Sequence, residues 1–297
     1  MNVTHNMLSK RKLNALCTGG LVRGWDDPRL LTLAGLRRRG APPAAINAFV
    51  RAVGVSRNEN LIPISLLDHH IRDNLNASAR RAMAVLRPLR VVLTNVGESA
   101  TEVFRAPMYP QHPARSSETY DMPLTRVLYI ESSDFRTEDA KGYFGLAPGK
   151  AVLLRYAHPI TCDAVVIAPS GSVVELRCSM RPLAAGEKPP KGVVHWVAQP
   201  KPGVAPPKLE ARLYDVLFAS EDPSALAGDE WVRDLNPNSE VVVVGGYAGP
   251  GVADAPVGTP FQLERLGYFA VDPDTTPQRL VVNRTVSLRD GFKDGGR

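Results

Sequence analysis

The sequence predicts an α+β chain in which a small helical subdomain is followed by two antiparallel β-barrels. In the first part of the chain, apolar residues recur with the spacing of amphipathic helices. From residue 89 onward, short runs rich in β-branched residues follow one another, and no long helical pattern separates them. This succession favours antiparallel barrels over a parallel sheet. The 297 residues, with 24 glycines and 26 prolines, suffice for two or three compact units joined by many turns.

The helical part is expected to contain three helices. The first spans residues 26–40 and is capped by Asp26 or Asp27. The second spans residues 42–54, where two prolines begin it and a glycine ends it, and the third begins at Ser65 as its cap. The apolar positions that recur at intervals of three and four on the second and third helices are Ile46, Phe49, Val50, Val53, Leu67, Ile71 and Leu75. These faces are expected to pack together as one subdomain.

The β part is expected to consist of short strands separated by turns. The expected strands lie at residues 89–94, 127–130, 151–156, 162–168, 173–177, 193–198, 211–218, 241–244 and 280–288. The turn at residues 169–172 predicts a hairpin between its two neighbours. The glycine-rich run at residues 245–251 lacks the Gly-Lys-Ser/Thr ending of a phosphate loop and is interpreted as a mobile connector.

Charge and cysteine content narrow the function classes. The 36 Lys and Arg against 30 Asp and Glu leave a net charge of +6, which is compatible with an RNA partner without deciding for one. No Cys-x-x-Cys spacing occurs among Cys17, Cys162 and Cys178, so neither a metal site nor a disulfide framework is expected. Reduced cysteines of this kind favour a cytoplasmic location. No apolar run approaches the roughly 18 residues of a membrane span, so no membrane partner is expected.

Three motifs near the N-terminus point to one family. They are residues 7–13 (Met-Leu-Ser-Lys-Arg-Lys-Leu), residues 25–29 (Trp-Asp-Asp-Pro-Arg) and residues 35–40 (Gly-Leu-Arg-Arg-Arg-Gly). Together they resemble the lysine signature loop of class I aminoacyl-tRNA synthetases and the helical segment after it, and more narrowly glutaminyl-tRNA synthetase. In that family the loop often reads Met-Ser-Lys, whereas here Leu8 precedes the serine and Met7 lies one residue earlier.

The resemblance continues through nearly the whole chain. Further matching stretches are residues 81–85 (Arg-Ala-Met-Ala-Val), 192–196 (Gly-Val-Val-His-Trp), 261–269 (Phe-Gln-Leu-Glu-Arg-Leu-Gly-Tyr-Phe) and 283–290 (Asn-Arg-Thr-Val-Ser-Leu-Arg-Asp). In the family the nucleotide-binding Rossmann domain precedes the lysine loop, and no such segment is present in this sequence. The resemblance therefore implies the C-terminal portion of a glutamine-tRNA ligase, expected to bind tRNA and to be inactive alone.

The family arrangement implies four segments. Residues 1–24 hold the lysine loop and the edge of the catalytic domain, and residues 25–87 form a helical connecting subdomain. Residues 88–133 and 205–297 build a proximal anticodon-binding barrel. Residues 134–204 build a distal barrel that is inserted in the proximal one.

The resemblance also implies chemistry and partners. The parent enzyme adenylates glutamine with ATP and Mg²⁺ and transfers it to tRNA(Gln), without DNA as a partner. ATP and glutamine would bind only through the catalytic domain, so this portion binds no cofactor by itself. Ser9 and Lys10 occupy the ATP-binding loop positions, where the lysine charge stabilises the triphosphate. Without its partner domain, this loop is expected to be disordered or irregular.

Anticodon recognition is expected from side chains that stack on bases or bond to their edges. Arg81 and Gln262 match the family's anticodon-contacting arginine and glutamine, and Arg265 belongs to the same motif as Gln262. The alternatives without a role in recognition are that Arg81 is an arginine at a helix end and that Gln262 is a glutamine on the surface of a strand. Each of the arginines at residues 37–39 is expected either to be solvated or to contact tRNA phosphates.

The distal barrel departs from the family pattern. Bacterial members carry a glutamine, a lysine and an arginine around the equivalent of Tyr143, whereas this chain has Gly-Tyr-Phe-Gly at residues 142–145. Leu153 also replaces a family arginine. Recognition of the outer anticodon bases is therefore expected to be remodelled, and the candidate residues are Tyr143, Phe144, Lys150 and Arg155.

Two alternative functions stay open from the sequence. One is a glutamyl-tRNA synthetase of the same architecture, and the other is a stand-alone β-barrel RNA-binding protein. Residues 35–40, 81–85 and 284–290 favour the glutamine enzyme, and the lysine loop argues against a pure binding module. A hydrolase is not indicated, because no convergent nucleophile set is evident.

Overall fold

A computed structural model of the chain describes residues 2–54 and 60–289. The chain divides into two compact units. Unit 1 comprises Met1–Arg80, Ala211–Val242 and Ala255–Arg297, and unit 2 comprises Arg81–Glu210 and Val243–Asp254. The last residue of the motif at 283–290, Asp290, lies outside the described residues.

Helices predominate before residue 79 and strands after it, as predicted, apart from the short β1 and β2 and the short α5. In the described residues the helices are α1 (Lys10–Thr18), α2 (Leu33–Arg39), α3 (Pro43–Val53), α4 (Ile64–Ser78) and α5 (Glu230–Arg233), with 3₁₀ turns at Ser132–Asp134 and Pro223–Ala225. The strands are β1 (Asn2–Val3), β2 (Leu61–Ile62), β3 (Arg80–Ala82), β4 (Ala84–Val85), β5 (Pro88–Leu93), β6 (Thr101–Pro107), β7 (Thr119–Thr125), β8 (Val127–Glu131), β9 (Ala151–Leu154), β10 (Pro159–Ile167), β11 (Val173–Met180), β12 (Val193–Val194), β13 (Trp196–Ala198), β14 (Lys208–Tyr214), β15 (Glu240–Ala248), β16 (Pro260–Leu263), β17 (Gly267–Val271) and β18 (Leu280–Val286).

The expected helical subdomain is present in unit 1. Helix α3 starts at Pro43 and stops before Gly54, as its proline and glycine borders predict. Leu67, Ile71 and Leu75 of α4 are buried, and they share an apolar core with Phe49 of α3. The spacing of apolar residues therefore predicted the packed faces correctly.

Two helix starts were predicted incorrectly. Helix α2 begins at Leu33, because the side chain of Thr32 accepts a 2.9 Å hydrogen bond from the N–H of Gly35 and caps the helix there. Asp27 does not cap it, since its carboxylate instead accepts backbone N–H bonds from Arg23 and Arg29. Helix α4 begins directly after a proline, at Ile64, so Ser65 lies inside its first turn.

The lysine loop is irregular at residues 7–9 and helical from Lys10 onward, which partly corrects the expectation of a disordered or irregular loop. Helix α1 begins at Lys10, and its buried residues are Leu13 and Leu16. Both lie in one apolar cluster with Met7, which is 3% exposed, whereas Leu8 is 42% exposed. Apolar anchoring of this stretch within unit 1 therefore comes from Met7, and the packing keeps the helix in place.

One seven-stranded sheet lies in unit 2 and forms a nearly closed barrel, with the order β12-β9-β10-β11-β5-β8-β13. Strands β10 and β11 form the hairpin predicted from the turn at residues 169–172. The pairs β9/β10, β5/β8 and β8/β13 are antiparallel as well, whereas β11/β5 and β12/β9 are parallel. Among the buried residues that fill this barrel are Leu93, Leu128, Ile130, Leu176 and Trp196. Strands β6 and β7 pair separately as a two-stranded antiparallel ladder.

A second seven-stranded, nearly closed sheet has the order β3-β16-β17-β18-β14-β15-β4. Within unit 1, the pairs β16/β17 and β17/β18 are antiparallel. Their inward side chains include Phe261, Phe269 and Val281, each at most 1% exposed. Within unit 2, the end of β15 pairs with β4. The glycine-rich run at 245–251, interpreted as a connector, thus begins inside a strand.

The sheets differ from the expected assignment of strands to barrels. The expected boundaries near residues 88, 134 and 205 separate β5 and β8 from β9–β11, yet all of these strands lie in one sheet. The reason is the parallel pairing of β5 with β11, in register from Arg90 with Glu175 to Leu93 with Cys178. Local sequence patterns show that a strand exists but carry no information about a partner this distant along the chain.

Two further findings concern only the described residues, 2–54 and 60–289. No helix among them is both long enough and apolar enough to cross a bilayer. Nor do they contain a group of three or more His, Cys, Asp and Glu side chains placed to hold a metal ion.

Candidate nucleic-acid interface

Arg81 opens unit 2 and stands at one end of a buried segment. Its backbone N–H donates a 2.8 Å hydrogen bond to the carbonyl of Met108. The four residues after it, at 82–85, are fully buried, whereas Arg81 itself is only half-buried. A cationic side chain is therefore attached to backbone that tertiary packing holds in place.

The connection between β6 and β7 carries an arginine stacked on an aromatic ring. The guanidinium of Arg115 lies 3.8 Å from the centre of the Tyr109 ring, and the His112 ring lies edge-on to that ring at 6.4 Å. Glu118 accepts hydrogen bonds of 2.6 and 2.9 Å from Arg115, which hold the pKa of this carboxyl below its usual range. The sequence predicted no recognition role for this stretch. The signal available there was one tyrosine, one histidine and one arginine among the prolines.

The loop at residues 142–145 places the ring of Tyr143 next to two cations. The guanidinium of Arg136 lies 4.4 Å from the centre of the Tyr143 ring, and the Nζ atom of Lys150 lies 5.2 Å from it. Lys150 also donates 2.6 Å hydrogen bonds to Asp139 and to the carbonyl of Tyr143, and the bond to Asp139 lowers the pKa of that carboxyl. Lys150 and Tyr143 thus brace the loop from within.

Phe144 is the side chain that this loop presents to solvent, with 59% of its surface exposed. Two glycines allow the close packing behind it. A Cβ atom on Gly145 would collide with the Tyr143 ring, and one on Gly192 would collide with the carbonyl oxygen of Phe144. The Gly-Tyr-Phe-Gly sequence therefore holds an exposed phenyl ring on a braced backbone, which is a surface suited to stacking.

Arg155 forms another arginine–aromatic stack in unit 2. Its guanidinium lies 4.8 Å from the centre of the Tyr156 ring. Its carbonyl oxygen accepts a 3.0 Å hydrogen bond from the indole N–H of Trp196, a buried residue of the motif at 192–196. The half-buried Arg155 is thereby tied to the barrel core.

Gln262 and Arg265 lie in unit 1. Gln262 is 8% exposed in β16, so the alternative of a surface strand glutamine does not hold. Arg265 is exposed in the turn between β16 and β17, where its φ of 66° places it in the left-handed region. The bend it forms lets Gln262 pair with Tyr268 of β17.

The predicted site residues are divided between the two units. Unit 2 holds Arg81, Tyr143, Phe144, Lys150 and Arg155, of which Tyr143 and Lys150 are in direct contact. Unit 1 holds Gln262, Arg265, Ser9 and Lys10.

Two arginines of the run at 37–39 have structural partners in unit 1. Arg38 donates to the carboxylate of Asp272 at 3.0 and 3.1 Å, and Arg39 donates to the carbonyl of Thr285 at 2.9 Å. Arg37 is exposed. The expectation of a solvated arginine therefore does not hold for Arg38 and Arg39, because Asp272 and the backbone of β18 supply their acceptors.

The match to known families decides the identity. The anticodon-binding domain models of the class I tRNA synthetases (E and Q) match residues 79–181 and 193–272, and the catalytic domain model of the same family matches residues 1–77. The chain belongs to this family of class I tRNA synthetases. Its residues 79–181 and 193–272 are anticodon-binding domains.

Curated relatives of this synthetase chain are named glutamine–tRNA ligases. It is 52% identical over 301 residues to the protein of Lupinus luteus, which covers all of this chain and 37% of that protein. It is 51% identical over 300 residues to the cytoplasmic protein of Arabidopsis thaliana, which again covers all of this chain and 37% of that protein. It is 44% identical over 295 residues to the protein of Nitrobacter winogradskyi, covering 98% of this chain and 51% of that one. The chain thus spans between about a third and a half of the length of these relatives.

Proposed function

We propose that this chain is the tRNA-binding portion of a glutamine–tRNA ligase, and that it recognises the anticodon of tRNA(Gln). The whole protein would adenylate glutamine with ATP and transfer it to the tRNA. The relatives named above support the glutamine specificity. The observation that carries the binding role is the exposed ring of Phe144 on a braced loop of unit 2, together with the half-buried Arg81 at the end of a buried segment.

The candidate residues have different roles in recognition of the tRNA. Arg81 donates hydrogen bonds to the edge of an anticodon base, and the amide of Gln262 can both donate and accept such bonds. Phe144 offers its face to an unstacked base, and Tyr143 and Lys150 hold its loop in position. Arg155 and the exposed Arg265 supply positive charge to the phosphate backbone.

The start of α1 fits a triphosphate. Ser9 precedes the helix without using its side chain as a cap, and Lys10 is exposed in the first turn. A helix N-terminus with a lysine is a site suited to anions. In the whole protein, with ATP and Mg²⁺ bound by the catalytic domain, Lys10 would stabilise charge on the phosphates. A cytoplasmic setting accords with the name of the Arabidopsis relative, a cytoplasmic glutamine–tRNA ligase.

The test is a binding titration of this chain against tRNA(Gln) and against the same tRNA with its central anticodon base changed. We expect tighter binding of the unchanged tRNA at both a low and a moderate salt concentration. Equal affinity for the two RNAs, falling steeply with salt, would show that only backbone electrostatics acts, and it would contradict anticodon recognition by this chain.

A further inference from the structure

The motif at residues 192–196 contains a buried histidine to which anticodon recognition assigns no role. His195 is 1% exposed, and its Nε2 atom lies 3.6 Å from the carboxylate of Glu131, which is 6% exposed. Both residues belong to unit 2. A glutamate buried to this extent is held only where bonding partners offset its loss of solvation.

The hydrogen-bond partners of Glu131 show that this carboxylate holds the backbone at residues 86–87 in place. One of its oxygens accepts a 2.5 Å hydrogen bond from the N–H of Leu86, and the other accepts a 3.0 Å bond from the N–H of Arg87. The carbonyl of Arg87 in turn accepts a 2.8 Å bond from the N–H of Ser132. Burial raises the pKa of Glu131, but the nearby His195 and the hydrogen bonds from the two N–H groups outweigh burial and lower it, so the carboxylate is ionised at neutral pH.

The backbone held by Glu131 leads directly back to Arg81. Residues 82–85 between them are fully buried. Met83 accepts a 2.8 Å hydrogen bond from the N–H of Gly249, and Val85 pairs with Tyr247 of β15. Because this short segment is fixed by packing along its length, a shift at residues 86–87 is passed to Arg81.

We propose that Glu131, which lies beside His195, is a positioning residue that fixes the position of Arg81 for contact with an anticodon base. The inference rests on the proposed function of Arg81. Glu131 does not touch the RNA; it fixes the far end of the segment that carries the arginine. A recognition side chain needs support of this kind, because a misplacement of about 1 Å weakens a specific hydrogen bond.

The test is a double-mutant cycle on the whole chain with Glu131→Gln and Arg81→Ala. The quantity measured is the ratio of the affinities for tRNA(Gln) and for the tRNA with a changed central anticodon base. Glu131→Gln alone should lower this ratio about tenfold, within the range of coupling found inside one hydrogen-bond network. In the Arg81→Ala background, the same change should have no further effect. Glu98→Gln is the matched control, because that glutamate is exposed and pairs with Arg126.

The possible outcomes separate the two proposals. If Glu131→Gln lowers the ratio equally in both backgrounds, or weakens the two RNAs alike, Glu131 acts only on the fold and the positioning role is wrong. If Arg81→Ala leaves the ratio unchanged, the reading role of Arg81 fails and the positioning role fails with it.

A second variant, His195→Gln, tests the proposal if the Glu131→Gln chain does not fold. His195→Gln keeps the buried carboxylate and its two backbone bonds but removes the imidazole. Hydrogen exchange of the amides at residues 82–87 should become faster in this variant and the affinity ratio should fall, while exchange in the β10/β11 hairpin stays unchanged. Unchanged exchange and an unchanged ratio would overturn the inference.

Discussion

Arg38 and Asp272 form a two-pronged ion pair in unit 1, in which the guanidinium donates hydrogen bonds of 3.0 and 3.1 Å to a fully buried carboxylate. Asn283 donates to the same carboxylate, and its amide also donates to the carbonyl of Arg38 at 3.0 Å. The pair therefore joins the end of α2 to strands of the barrel. The two-fold hydrogen bonding of a planar guanidinium to one carboxylate fits an arginine at this position.

Arg38→Ala should destabilise the chain by about 3 kcal/mol, because it leaves a buried carboxylate without its main partner. The figure is at the low end for a buried pair, since Arg212 remains 3.4 Å from Asp272. Urea unfolding monitored by circular dichroism measures the change. The control is Arg37→Ala at the exposed neighbour, which should change the free energy of unfolding by less than about 0.5 kcal/mol. Equal effects of the two substitutions would contradict the structural role of Arg38.

Acid should destabilise the folded chain through its buried carboxylates. Burial raises the pKa of Asp27 and Asp272, but hydrogen bonds from Arg29 and Arg38 outweigh burial, so the pKa of each lies below its ordinary value. The unfolded state then binds more protons, and the stabilisation is complete above about pH 5 and is lost as the pH falls through the folded pKa. Urea midpoints measured from about pH 7 to about pH 3 should stay level at first and then fall. A midpoint that rises on acidification would contradict this assignment.

The sequence predicted the elements that depend on local patterns. Apolar spacing identified the buried face of α4, and proline and glycine located both ends of α3. The start of α2 was missed because Asp27, one of the two expected caps, has other hydrogen-bond partners. The carboxylate of Asp27 accepts hydrogen bonds from the backbone N–H groups of Arg23 and Arg29, and the side chain of Thr32 caps the helix instead. Such competition depends on contacts that local propensity does not contain.

The candidate site was only partly predictable. Arg81 and Gln262 are proposed from a family resemblance, whereas the stack of Arg115 on Tyr109 was missed, because nothing in a proline-rich stretch specifies which side chains meet. The same limit applied to the sheets, since the pairing of β5 with β11 is a long-range contact. Long-range pairing and side-chain stacking are decided by tertiary packing.

Gly192→Ala should destabilise unit 2 by about 1–3 kcal/mol, because the added Cβ atom would collide with the backbone carbonyl of Phe144. The matched control is Gly97→Ala, where the nearest atom to a new Cβ lies at an ordinary 3.7 Å. Thermal unfolding of the two variants compares them directly. A Gly192→Ala chain as stable as the control would show that the loop carrying Phe144 is not packed as closely as described.

Arg81→Ala should weaken binding of tRNA(Gln) by about 1–3 kcal/mol, while binding of a tRNA with a changed central anticodon base changes little. The reason is that a base-reading side chain contributes only when its base is present. Fluorescence anisotropy titrations with both RNAs measure the difference. An equal loss on the two RNAs would mean that Arg81 contacts phosphate and carries no sequence information.

Phe144→Ala should weaken tRNA binding by about 1–3 kcal/mol, because one base would lose its stacking partner. Since 59% of Phe144 is exposed, the substitution should leave the free energy of unfolding almost unchanged. Val103→Ala is the control, because that valine is also exposed in unit 2, at 56%, and lies outside the loop. Stacking accepts any base, so replacing the outer anticodon bases should alter the affinity far less than Phe144→Ala does. If Phe144→Ala binds tRNA as tightly as Val103→Ala, the exposed ring is not a platform for a base.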